Sequence, residues 1–168
     1  CEHFTNHGSK KVFVYLKGVP GTLELLKLLD CWELDTLAFI DRFDQANNLA
    51  FKNVKLAESR VDLSIVTQHA DLAITHGGHG VSAQFLTAGV PVLALPLHYE
   101  QAITATRINE QKLGAYANLT NVVALEASLG RLLFDATFRN NAIEFAKRSE
   151  EYQSFKQPSI IADELIDL

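Results

Sequence analysis

Residues 71–101 constrain this chain more than any other stretch. An apolar run at 72–74 stops abruptly at His76-Gly77-Gly78. A helix-like segment, 81–88, closes on Gly89, and a second apolar run, 90–95, is bounded by Pro91 and Pro96. Strand, glycine turn, helix, glycine and strand in that order are the layout of a βαβ unit. Glycines between a strand and a helix let a ligand approach the backbone, and the helix's first N–H groups and dipole favour an anion there. The stretch reads as a phosphate seat.

Around it, strand candidates at 11–16, 36–40, 54–57, 72–75, 90–95 and 116–119 alternate with helix candidates. The helices fall at 23–29, 62–69, 81–88, 101–113, 121–145 with a break near 135–137, and 159–168. Thr22 and Asp62 are placed as helix caps, and Gly114 as a helix stop. The alternation predicts an α/β fold, a parallel sheet of about six strands with helices on both faces. Residues 1–10 are polar and read as a linker or frayed tail. Residues 11–168 then form one domain, in a chain large enough to bury roughly 70% of its unfolded surface.

Apolar residues make up 48% of the 168, charged residues 21%, and the net charge is −5. That balance leaves no electrostatic footprint for nucleic acid or an anionic membrane. No apolar run approaches the ~20 residues of a membrane span, and no signal peptide is visible. The two cysteines, Cys1 and Cys31, make no disulfide framework or metal pattern, which fits a reduced, cytoplasmic setting. A chain that opens on Cys1 and holds no methionine is expected to be a domain of a longer protein, with part of its active site elsewhere.

Several residues carry candidate chemistry. His76 sits where ligands bind in open α/β sheets, at the carboxyl end of a strand. Its ring can donate to a phosphate oxygen while amides from Gly78 to Ser82 supply others. The alternative is a tight helix cap without ligand, at the entropic cost of three glycines in five residues. His76 and His79 lack a third ligand at recognisable spacing, so no metal is expected. His-Gly-Gly also occurs in esterase oxyanion loops, but no Gly-x-Ser-x-Gly elbow follows, which excludes a hydrolase of that kind. Glu100 and Gln101 suit neighbouring hydroxyls, as on a sugar, or else form an acidic first helical turn. Gln84 faces the same cleft or is simply an exposed helix position. Gly18 and Gly21 turn the chain or admit a ligand. The loop at Arg60-Val61 can approach a nucleotide base through its backbone.

Taken in order, Ala70-Asp71, Thr75-His76-Gly77-Gly78, Gly89-Val90-Pro91, Leu95-Pro96 and Glu100-Gln101 resemble the donor-binding signature of GT-B glycosyltransferases. The likeness is to the UDP- and TDP-sugar-dependent family that glycosylates small molecules, and it is tight over about residues 57–116. It implies a Rossmann-like donor domain, the C-terminal half of a GT-B fold. It also implies a diphosphate held by His76 with Gly77, Gly78, Gly80, Val81 and Ser82, and sugar hydroxyls held by Glu100 and Gln101. The family's ribose-binding glutamate falls on Gln84, which carries no charge. Side chains that often touch phosphate fall on Gly80 and Val81, leaving Ser82 as the nearby hydroxyl.

The resemblance places the catalytic base in an N-terminal acceptor domain outside this chain, so no catalytic residue is expected here. The nucleotide sugar would be a substrate, with no metal or other cofactor. The expected function is the donor half of an inverting transferase that moves a hexose from a UDP- or TDP-sugar to a hydroxyl of a small molecule. A non-catalytic nucleotide-sugar-binding or partner-docking module is the alternative that Gln84 and the bare Gly80-Val81 suggest. A nucleotide-sugar hydrolase or epimerase of similar fold is a third.

Overall fold

A computed structural model describes residues 10–43 and 50–151. The β-branched and aromatic run Lys11–Lys17 forms β1, followed by α1 (Thr22–Cys31), β2 (Asp35–Asp41) and β3 (Val54–Leu56). Next come α2 (Leu63–Val66), β4 (Leu72–Thr75), α3 (His79–Thr87) and β5 (Val92–Ala94). The chain continues through α4 (Tyr99–Glu110), β6 (Gly114–Tyr116), α5 (Val122–Phe134) and α6 (Ala136–Glu151). The strands form one sheet in the order β3-β2-β1-β4-β5-β6, and every pairing is parallel.

Alternation along the strands divides the core into two layers. Val12, Val14 and Leu16 join Leu25, Leu26 and Leu29 of α1 and Leu125 and Leu129 of α5 on one face. Phe13, Ala73 and Val92 join Phe85 and Leu86 of α3 and Ala105 and Ile108 of α4 on the other. Phe13 stacks on Phe85 with ring centroids 5.5 Å apart. α6 serves both layers, with Phe138 in the first and Phe145 packed against the second. Arg139 fastens it by donating to the Ala70 carbonyl at 3.4 Å.

Several expected boundaries shift. Thr22 is not a side-chain cap. The N-cap is Gly21, in the left-handed region at φ 93°, and the Thr22 hydroxyl instead accepts from Val19 N–H and donates to the Lys17 carbonyl. Asp62 does cap α2 by accepting from Ser64 N–H at 2.9 Å, but that helix ends at Val66. Gly114 begins β6 rather than stopping a helix, because the Val92 carbonyl and the Ile108 side chain occupy the space a side chain would need. β6 therefore covers Gly114–Tyr116 and not 116–119. α3 and α4 both start two residues earlier than expected. The break at 135–137 is present, with Asp135 extended at φ −88°, ψ 104°.

Cys31 is disulfide-bonded, so the lack of a cysteine framework did not mean reduced thiols. The tail at 1–9 and the helix at 159–168 lie outside the described residues. Among those described, no helix is long and apolar enough to cross a membrane.

Candidate functional site

The strand order reverses between β1 and β4, which are hydrogen-bonded neighbours. In open α/β sheets the ligand crevice lies at the carboxyl ends of the strands at such a switch point. Gly18–Gly21 leaves β1 on this edge, His76-Gly77-Gly78 leaves β4, and residues 96–98 leave β5.

Gly77 makes the turn after β4. Its φ of 79° is a conformation L side chains rarely adopt, and a Cβ there would lie 3.1 Å from the Gln101 carbonyl. The turn is thereby pressed against the start of α4, and the glycine turn and the Glu100-Gln101 pair become one locus. Thr75 locks the arrangement from beneath. Its hydroxyl accepts from Gly77 N–H at 3.1 Å and lies 3.3 Å from Ser82 Oγ, and both hydroxyls are buried.

That clasp places Ser82 differently from the nearby phosphate hydroxyl suggested by the resemblance. The Ser82 side chain is 1% exposed and faces Thr75, and its backbone N–H donates to the Gly78 carbonyl at 3.1 Å. The N–H groups ahead of that bond, from Gly78 to Val81, stand at the open end of α3, and no side chain caps them. Gly80 has open space around it, with nothing within 4 Å of the point where a methyl group would stand. Gln84 is exposed one turn further along the same helix.

His76 is enclosed on two sides. Its ring lies 5.8 Å from that of Tyr15 at a 35° tilt, and Nε2 would be 2.8 Å from a Cβ on Gly78. Nδ1 is buried with no hydrogen-bond partner among the described residues. Burial holds the imidazole below its ordinary pKa, the charges of Lys17 and His98 push the same way, and the Tyr15 backbone opposes them. The lowering favours the neutral ring, which carries one N–H to donate.

At the neighbouring strand end, Gln101 Oε1 accepts from Leu97 N–H at 2.8 Å, while Glu100 is exposed in the first turn of α4. Arg60 is exposed, and Val61 packs partly into the second core layer. Their loop leads from the carboxyl end of β3 to α2, and Val61 packs in the same layer as Tyr15 and Val81. A cavity of about 650 Å³ opens beside Gly18, Gly21, Arg42, Phe43, Leu119 and Thr120. Gly18 and Gly21 are bare for packing reasons, since side chains there would meet the carbonyls of Arg42 and Leu119. No group of three or more His, Cys, Asp or Glu that could hold a metal occurs among the described residues. Sequence reasoning missed Tyr15, whose place beside His76 depends on the register between two distant strands.

Residues 36–168 match the family described as erythromycin biosynthesis protein CIII-like, C-terminal domain. NDP-glycosyltransferase YjiC of Bacillus subtilis is 45% identical over 51 residues, 30% of this chain and 13% of that protein. Zeaxanthin glucosyltransferase of Pantoea ananas is 31% identical over 146 residues, 82% of this chain and 34% of that one. Among solved structures, spinosyn forosaminyltransferase SpnP superimposes with a TM-score of 0.77 at 19% identity, covering 96% of this chain and 44% of its own. The Streptomyces sp. SF2575 glycosyltransferase SsfS6, complexed with thymidine diphosphate, gives 0.62 at 22% identity, covering 86% of this chain and 38% of its own. The chain thus spans less than half the length of each of these proteins.

Proposed function

This chain belongs to the erythromycin biosynthesis protein CIII-like C-terminal domain family, and we propose that it is the donor-binding half of a glycosyltransferase. It would hold a UDP- or TDP-hexose while an acceptor domain, on chain outside these residues, presents a small-molecule hydroxyl. Residues 11–168 would form the donor domain and 1–10 its linker.

The contact of Gly77 with the Gln101 backbone carries this reading, because it joins an anion-binding helix start to a pair suited to sugar hydroxyls. The diphosphate would lie against the N–H groups of Gly78–Val81, with His76 donating its one N–H. These donors are in place before reaction and would meet the charge that develops on the departing nucleoside diphosphate. Glu100 and the amide of Gln101 would hold the sugar, Gln84 the ribose, and the Arg60-Val61 backbone the base. A base on the acceptor domain would activate the hydroxyl for direct, inverting attack. We place no metal or cofactor in the reaction, and we propose a cytoplasmic setting, which a Cys31 disulfide that persists in protein isolated from its native cells would overturn.

Calorimetry with UDP and TDP tests the seat. His76→Ala should weaken nucleotide binding by about 1–3 kcal/mol, the range for losing one partner of a hydrogen bond. Unchanged affinity would overturn the assignment. The exposed, uncharged Gln84 favours a second reading, a module that binds nucleotide sugar without turnover. Transfer assays on the full-length protein with UDP- and TDP-sugars separate the two, since binding without transfer of any donor supports the module.

A further inference from the structure

Three half-buried rings form a row across the carboxyl ends of neighbouring strands: Phe39 on β2, Tyr15 on β1 and His76 just beyond β4. The parallel register makes the row, because Tyr15 pairs with Phe39 on one side and with Thr75 on the other. Tyr15 stacks on Phe39 with centroids 5.5 Å apart at 29°, and His76 leans on Tyr15 at 5.8 Å and 35°. Gly78 lies against the Nε2 edge of the imidazole, where a Cβ would be 2.8 Å away.

A histidine that binds a ligand is ordinarily oriented by a hydrogen bond on its second ring nitrogen. Here Nδ1 makes no hydrogen bond of good geometry among the described residues, and the Tyr15 backbone is the hydrogen-bonding group that acts on the ring. The Tyr15 ring on which the imidazole leans acts together with that backbone contact in setting it. We propose that Tyr15 is a positioning residue, its ring braced by Phe39 and holding the His76 imidazole at the angle from which it meets a diphosphate oxygen. This rests on the diphosphate role proposed for His76. The ring of Tyr15 and not its hydroxyl does the positioning, because the contact is between the two rings.

The same ring shields His76 from solvent. The other groups acting on the imidazole are Lys17 at the end of β1, His98 at the N-cap of α4, and the Tyr15 backbone, which a substitution of the side chain retains. Losing the Tyr15 ring therefore moves the His76 titration toward the value of an exposed histidine, about 6.5.

The test combines the NMR titration of His76, assigned with His76→Asn, and calorimetry with TDP and UDP. Tyr15→Phe should leave both within about two-fold of wild type, because it removes no more than one hydroxyl. Tyr15→Ala should raise the His76 pKa and weaken nucleotide binding about ten-fold, the scale of one misaligned hydrogen bond. Tyr15→Leu serves where the alanine variant does not fold.

A folded Tyr15→Ala or Tyr15→Leu variant with unchanged titration and affinity overturns the proposal. So does a Tyr15→Phe variant that binds as weakly as the alanine one, since the hydroxyl would then be the active part. His76→Ala separates this proposal from the one beneath it. If His76→Ala weakens binding while Tyr15→Ala alters nothing, only the positioning role fails. If His76→Ala binds normally, the diphosphate role fails whatever Tyr15 does.

Discussion

Gln101 Oε1 accepts a hydrogen bond from the Leu97 backbone N–H at 2.8 Å, closing the loop that leads into α4. The oxygen is committed to the fold, and the NH₂ group is the part of the amide left to meet a ligand. Gln101→Glu keeps an oxygen for Leu97 and removes the donor. The variant should melt near the wild-type temperature yet lose about ten-fold in affinity for a TDP-sugar, with a smaller loss for TDP alone. Calorimetry with both ligands checks the ratio, and equal losses would remove Gln101 from the sugar contact.

Gly80 separates stability from binding. It is the second residue of α3 and has no neighbour where a methyl group would go. Gly80→Ala should stabilise the fold by about 0.5–1 kcal/mol through helix propensity. If the diphosphate lies over this helix start, the same methyl group should weaken nucleotide binding at least about ten-fold, the cost of displacing one good contact. Thermal melts and calorimetry on one preparation read both effects. A stabilised variant with full affinity would place the phosphates elsewhere.

His76 predicts a pH dependence with a definite sign. Burial lowers its pKa in the folded chain below the unfolded value near 6.5, so protons prefer the unfolded state. The stability tied to the neutral ring is complete above that value and is lost as pH falls from about 6.5 through the folded pKa. Urea midpoints should drop between pH 7.5 and 5.5, by less in His76→Gln. A bound diphosphate favours the charged ring, so nucleotide binding should take up protons in this window, visible as a buffer-dependent heat.

Gln84 stands where the resemblance puts a carboxylate, and it is exposed. Gln84→Glu should change stability by no more than about 0.5 kcal/mol, as surface substitutions usually do. If the side chain meets ribose hydroxyls, the variant should bind UDP and TDP several-fold more tightly, because a charged acceptor makes a stronger hydrogen bond. No change, or weaker binding, would take Gln84 out of the nucleotide contact.

Much of this site was legible locally. Thr75, His76, Gly77 and Gly78 announce a strand end and a turn, because a glycine with positive φ and an apolar run are properties of consecutive residues. Edges were less legible. Gly114 looked like a helix stop because glycine often is one, whereas here the Val92 carbonyl excludes any side chain from a strand start. Ser82 looked like a ligand because a hydroxyl near an anion-binding helix often is one, and only its partner Thr75 shows that it points inward.

The order of strands, glycine turns and helices in residues 11–134 determined an α/β domain with a glycine turn and an uncapped helix start after β4, since periodicity and backbone freedom are written residue by residue. Tertiary structure decided which residues meet around that turn. Residues 15, 39 and 76 become one row of rings, and residues 77 and 101 become neighbours, only when parallel strands pair in one register and β4 and β5 lie side by side. That register follows from burying two opposite faces of a single sheet, a condition set by the whole core and by no segment alone.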